Sequence, residues 1–251
     1  MKISVCLPIV FPGMPLDEAL VRVSECGYRY AECWRVTDEE VLPLRVAMEK
    51  SGVQLLSIVA DDFSLNIPEQ RGIWLEKLRA CAMRARRLNV PFIVTQVGQD
   101  NGAPMEEQLS CVREGLRQAI AILEECGVTL LVEPLNTKVD HKGYLLEKSN
   151  DAFRLIRAVN SPRVRLVYDI YHQQISEGDI LRTVCANLDI IAHLHGASVP
   201  GRHEIFFGEN DYRFILREIE NAGYLGAITL EYKPTLPPQD SLKQTLEYLK
   251  H

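Results

Sequence analysis

The sequence predicts an α/β protein folded as one closed (β/α)8 barrel of the TIM type, with residues 1–251 in a single domain. Three observations carry this. Eight short apolar runs alternate with longer segments whose apolar residues recur every three or four positions. A residue suited to the left-handed conformation closes one helical segment after another, in units of about 30 residues. No G-x-G-x-x-G follows the first run, which sets aside the open dinucleotide-binding sheet. Near-continuous Val, Ile and Leu runs mark parallel strands covered on both faces, and eight βα units in this length match one barrel.

In order, the strands are KISVCLP (2–8), YRYAECW (28–34), VQLLSIVA (53–60), PFIVTQVG (91–98), VTLLVEPL (128–135), VRLVYDI (164–170), IIAHLHGA (190–197) and AITLEYK (227–233). Amphipathic segments such as PLDEALVRVSEC (15–26) and MEEQLSCVREGLRQAIAILEEC (105–126) supply the helices. Gly27, Gly52, Gly127 and Gly223 close helices at the C′ position, and Asn89, the next-best residue there, closes another. The opening MKISVCLPIV has one lysine and no A-x-A site. It is therefore expected to be a strand rather than a secretory leader.

Composition narrows the function. The chain is 47% hydrophobic and 25% charged, with a formal net charge of -6. That sign disfavours nucleic acid, whose affinity comes mostly from Lys and Arg, and MRARR (83–87) reads as the solvated side of a helix. No apolar run approaches a bilayer span, so no membrane partner is expected. The seven cysteines form no C-x-x-C pair and sit in apolar contexts, as small core residues do in a reducing, cytoplasmic compartment.

In such barrels chemistry sits at the carboxyl ends of the strands. Four consecutive strands end there in Glu133, Asp169, His195 and Glu231, each breaking an otherwise apolar run. Three carboxylates and an imidazole on one apolar rim repel unless a cation gathers them. Oxygen donors with one nitrogen suit a divalent ion, Mg²⁺ or Mn²⁺ first, with Co²⁺ or Zn²⁺ as alternatives. His172 and Arg202 are placed to bind substrate oxygens, while His193 is assigned a supporting place beside the ligands. Glu209 is a candidate tether for the loop after Arg202. Glu32, Trp34, Asp61 and Asp62 stand at the ends of strands two and three, with pocket and surface placements equally open.

LVEPLNT (131–137), VYDIYHQQISEGD (167–179), HLHGASVPGRHE (193–204), GENDY (208–212) and LEYKP (230–234) together resemble the hydroxypyruvate isomerase family. That family lies among the xylose isomerase-like barrels, beside ketose 3-epimerases and inosose dehydratases. The resemblance implies metal ligands at Glu133, Asp169, His195 and Glu231, and substrate contacts at His172 and Arg202. It implies an isomerase acting on a small hydroxy-carbonyl compound or sugar through a cis-enediolate, with Glu133 and Glu231 moving the proton. Ketose 3-epimerisation and metal-dependent dehydration are the alternatives, and a homo-oligomer is compatible with the family. Two departures stand out. His195 occupies a ligand position where hydroxypyruvate isomerases often carry Gln, and IFFGEN (205–210) is more apolar than the family's loop.

Overall fold

Eight parallel strands close on themselves in the order of the chain, each hydrogen-bonded to the next and the last to the first. The computed structural model describes residues 1–60 and 64–250. The strands are β1 (Lys2–Cys6), β2 (Tyr30–Glu32), β3 (Gln54–Val59), β4 (Phe92–Thr95), β5 (Thr129–Val132), β6 (Val164–Asp169), β7 (Ile191–Gly196) and β8 (Ala227–Leu230). Each falls inside the run that predicts it. The runs overshoot at their ends, because apolar residues continue past the last ladder hydrogen bond into the loops. After β1 the overshoot is structured: Leu7–Val10 form a single helical turn, α1, with Pro8 near its start, where a missing N–H costs nothing.

The covering helices are α2 (Leu16–Glu25), α3 (Val41–Ser51), α4 (Arg71–Leu88), α5 (Met105–Cys126), α6 (Ser149–Val159), α7 (Ile170–Ser176), α8 (Ile180–Cys185), α9 (Tyr212–Asn221) and α10 (Pro238–Lys250). Gly52 and Gly127 close α3 and α5 at φ 68° and 71°, and Asn89 closes α4 at φ 56°, so the helix-ending reading holds at each. Arg86 and Arg87 of the basic segment are exposed while Ala85 is buried, the pattern of a solvated helix face. Among the described residues no helix is long and apolar enough to cross a membrane. Cys6, Cys26, Cys33, Cys81 and Cys126 are buried, and no disulfide forms among the described cysteines.

One apolar core runs between the strands and the helices, from Val5 and Leu7 through Trp74 and Leu116 to Ile228. A smaller cluster, Val94, Leu131 and Val167, lies apart from it. Strand side chains alternate between faces. The residues two positions beyond Leu131 and Val167 are Glu133 and Asp169, so this cluster forms an apolar floor under the carboxylates.

Candidate active site

Four of the predicted residues meet. Glu133, Asp169, His195 and Glu231 are all buried, and one donor atom from each lies within 4.8 Å of the others. Glu133 and Glu231 sit one residue past β5 and β8, still held by ladder bonds from their amides to Thr95 and Gly196. Asp169 ends β6 and caps α7. Its Oδ1 accepts the amides of Tyr171 and His172 at 2.7 and 3.3 Å, which leaves Oδ2 for the cluster. His195 Nδ1 lies 3.1 Å from Glu133 Oε1 and 3.5 Å from Glu231 Oε2. Glu133, His195 and Glu231 line a cleft of roughly 590 Å³ that also takes in Trp34, Gln96, His141, His172 and Arg202.

The electrostatics set the clustered carboxylates against one imidazole and one guanidinium. Burial pushes the Asp169 carboxyl up to about 6, against the pull of His195 and Arg202. Burial opposes charge on His195 too, but Glu32, Glu133 and Glu231 outweigh it and raise the imidazole well above its ordinary value. Glu231 is also resisted by burial, yet Arg202 and His195 hold it well below the usual carboxylate range. A divalent cation fits this donor set: three carboxylate oxygens and one imidazole nitrogen converge, and protonation of His195 otherwise has to balance them.

Arg202 reaches the cluster from the loop after β7. Its Nη2 donates to Glu231 Oε2 at 2.8 Å and its Nε to the Glu231 carbonyl at 3.2 Å, with the guanidinium over the Tyr171 ring. Arg202 itself takes a left-handed φ of 58°, uncommon for such a side chain, so the loop must hold it there. That tether is Glu204, which is fully buried and accepts from the Thr235 amide, the Thr235 hydroxyl and the Leu236 amide. Glu209, the tether expected from sequence, is exposed, and it ties the loop more weakly: its backbone amide donates to the Val199 carbonyl and its Oε1 accepts from Gln174 Nε2 at 3.5 Å. A charged residue among apolar neighbours, EIF at 204–206, was the available signal for Glu204.

His172 lies at the cleft, and its tautomer follows from its partners. The Asn136 backbone N–H points at His172 Nδ1 at 3.3 Å, and an amide N–H only donates. The Asn136 side-chain amide donates to the same nitrogen at 2.7 Å, its own oxygen being taken by the Val139 and Asp140 amides. Nδ1 therefore carries the lone pair and Nε2 the proton, 3.6 Å from Asp169 Oδ2. Burial and Arg202 hold the ring neutral, with its pKa down to about 3. Asn136, the N of LNT, and His141, whose ring centre is 5.3 Å from that of His172, escaped the sequence reading. Loop polar residues carry no periodicity to single them out.

The remaining candidates divide. Glu32 is wholly buried and borders the cleft, and Trp34 donates to Glu231 Oε1 at 3.3 Å. His193 packs beside His195: its Nε2 is 2.7 Å from the Thr229 hydroxyl and its ring meets His195 edge-on at 5.4 Å. Asp61 and Asp62 lie outside the described residues.

Comparison with known proteins places this arrangement. A family model described as xylose isomerase-like TIM barrel matches residues 20–251. Hydroxypyruvate isomerase of Escherichia coli (strain K12) is 29% identical over 252 residues, covering 97% of this chain and 97% of that protein. The 2-oxo-tetronate isomerase of Haemophilus influenzae is 25% identical over 242 residues, covering 93% of each. A crystal structure of AP endonuclease, family 2, from Brucella melitensis superposes with a TM-score of 0.92 at 24% identity, covering 98% of each chain, a likeness of fold. A barrel closed by eight strands in sequence order, matched by that family model over all but its first strand and turn, belongs to the xylose isomerase-like TIM barrel family.

Proposed function

We propose that this isomerase interconverts a small hydroxy-carbonyl compound, of the hydroxypyruvate or 2-oxo-tetronate kind, by moving a proton between adjacent carbons. The observation that carries the reading is the convergence of Glu133, Asp169, His195 and Glu231, three of which line one cleft. These four side chains would hold a divalent ion, Mg²⁺ or Mn²⁺ with Co²⁺ or Zn²⁺ as substitutes. When bound, such an ion polarises a carbonyl and stabilises the negative charge of an enediolate.

The chain's own residues supply the rest. One of Glu133 and Glu231 takes the proton from the carbon bearing the hydroxyl, giving a cis-enediolate. The other returns a proton to the neighbouring carbon while the hydroxyl proton passes to the former carbonyl oxygen, so the two oxygens exchange roles and no water is lost. His172, neutral with its proton on Nε2, donates to a substrate oxygen. Arg202 keeps Glu231 ionised, and Trp34 and Leu135 line the cleft with them.

A second reading, 3-epimerisation of a free ketose, uses the same two glutamates on opposite faces of one carbon. The cleft volume favours it, since a three-carbon acid fills little of that space. The test is to offer hydroxypyruvate, 2-oxo-tetronates and free ketoses with Mn²⁺ or Mg²⁺ in deuterated water. One class should turn over and take up deuterium at carbon. Glu133→Gln and Glu231→Gln should each lose about 10²–10⁴-fold in turnover, the contribution of a positioned acid or base. Near-normal turnover in both variants, or loss of water from the substrate, contradicts the scheme.

A further inference from the structure

Beneath the four-residue cluster lies a charge that the proposed chemistry does not use. Glu32, at the end of β2, faces His195 Nε2, whereas Glu133 and Glu231 face Nδ1; one Glu32 oxygen also lies within 4.8 Å of a Glu231 oxygen and Cys6 Sγ. Its Oε2 is 3.0 Å from His195 Nε2 and also accepts the Ser57 hydroxyl. Its Oε1 is buried and has no hydrogen-bond partner among the described residues. A buried carboxylate with an unsatisfied oxygen destabilises a fold, so its presence asks for a function.

The two nitrogens of His195 face different groups. Nδ1 points at Glu133 and Glu231, within the set of donor atoms that would hold an ion. Nε2 points at Glu32 and at nothing else within hydrogen-bond distance among the described residues. An imidazole gives a metal its lone pair from one nitrogen and keeps its proton on the other, and a carboxylate behind the ring fixes which. Here the sides are fixed by the strands: β2 carries Glu32 on one side of the ring, and β5 and β8 end in the ligands on the other. His193 adds to the constraint by packing edge-on against the His195 ring while its own Nε2 is engaged with Thr229.

We infer that Glu32 is a positioning residue for metal binding, holding the proton of His195 on Nε2 so that Nδ1 presents its lone pair to the ion. The inference rests on the reading of Glu133, Asp169, His195 and Glu231 as ligands. Although Glu32 borders the cleft, in this scheme it takes no part in the ion's coordination. Its effect on the ion passes wholly through His195.

A double-mutant cycle on Mn²⁺ affinity tests this, with free Mn²⁺ followed by electron paramagnetic resonance and folding by circular dichroism. Wild type should bind one ion per chain. Glu32→Ala should weaken binding by about 10–100-fold, the usual effect of losing a carboxylate behind a ligating histidine. Glu32→Gln, which keeps an acceptor, should recover part of that loss and stands in if the alanine variant fails to fold. In a His195→Gln background the same Glu32 changes should alter affinity by no more than about twofold, because no imidazole remains to be oriented. Nitrogen NMR of ¹⁵N-histidine protein loaded with Mg²⁺ should show the His195 proton on Nε2. Equal losses in both backgrounds, wild-type affinity in Glu32→Gln, or a proton on Nδ1 each overturn the inference. Two ions per chain, with the second held by Glu32, His193 and His195, also overturns it. A wild-type chain that binds no ion refutes the ligand reading itself, which separates the two failures.

Discussion

Arg202 holds Glu231 by two hydrogen bonds, one to the side chain and one to the backbone, and this geometry needs a guanidinium. A lysine offers a single point of charge on a flexible stem and cannot make both at once. Arg202→Lys should therefore keep the chain folded yet lower kcat/KM about 10–100-fold, or about 1.4–2.8 kcal/mol of transition-state stabilisation. Steady-state kinetics on the true substrate checks this, and an unchanged kcat/KM contradicts it. His172 acts by a different route. Its proton is kept on the cleft side because Asn136 donates to the opposite nitrogen, so Asn136→Asp should reverse that bond. The variant should lose turnover while binding metal as before.

At the scale of elements, the end of β7 is held by contacts that leave no spare room. Gly196, directly after His195, faces the Tyr212 ring: a Cβ there would meet Tyr212 Cε1 at 2.9 Å and Ile228 Cδ1 at 3.0 Å. The Tyr212 hydroxyl accepts from the Ala197 amide and donates to its carbonyl, so the ring cannot swing away. Gly196→Ala should cost about 1–3 kcal/mol in urea unfolding, the range for overpacking a filled core. The loop beyond is tied by Glu204. Burial raises its pKa, but bonds from backbone amides, Ser241 and Thr235 lower it further, so the folded value lies below the ordinary 4.5. A depressed carboxyl contributes stability that is fully present above the ordinary value and is lost as pH falls through the folded one. The stability gap between wild type and Glu204→Gln should thus be constant near neutrality and close on acidification. A gap independent of pH refutes the tether.

For the whole molecule, what the sequence made legible follows from burial. Glu133, Asp169, His195 and Glu231 stood out because each interrupts a strand otherwise buried on both faces, and a lone polar residue there has few structural excuses. Glu32 sits in YRYAECW, where Tyr30 and the exposed Trp34 blur the pattern, so its burial emerged only once β1 and β3 closed around it. Glu204 and Asn136 lie in loops, whose contacts are set by three-dimensional neighbours such as Thr235 and His172 rather than by period. The barrel is held by eight strand pairings and a continuous apolar core, none of which needs an ion. Chelation should therefore abolish turnover and leave the fold intact, with Mn²⁺ or Mg²⁺ restoring activity. Saturating metal should raise stability by about 2.7 kcal/mol at a hundredfold excess over Kd.

The most direct measurement is an anomalous difference map from crystals soaked in Mn²⁺. One peak per chain among the side-chain donors of Glu133, Asp169, His195 and Glu231 is the predicted result. No peak, or a peak lying only beside Glu32 and His193, would contradict the assignment of these four residues as the site of the chemistry.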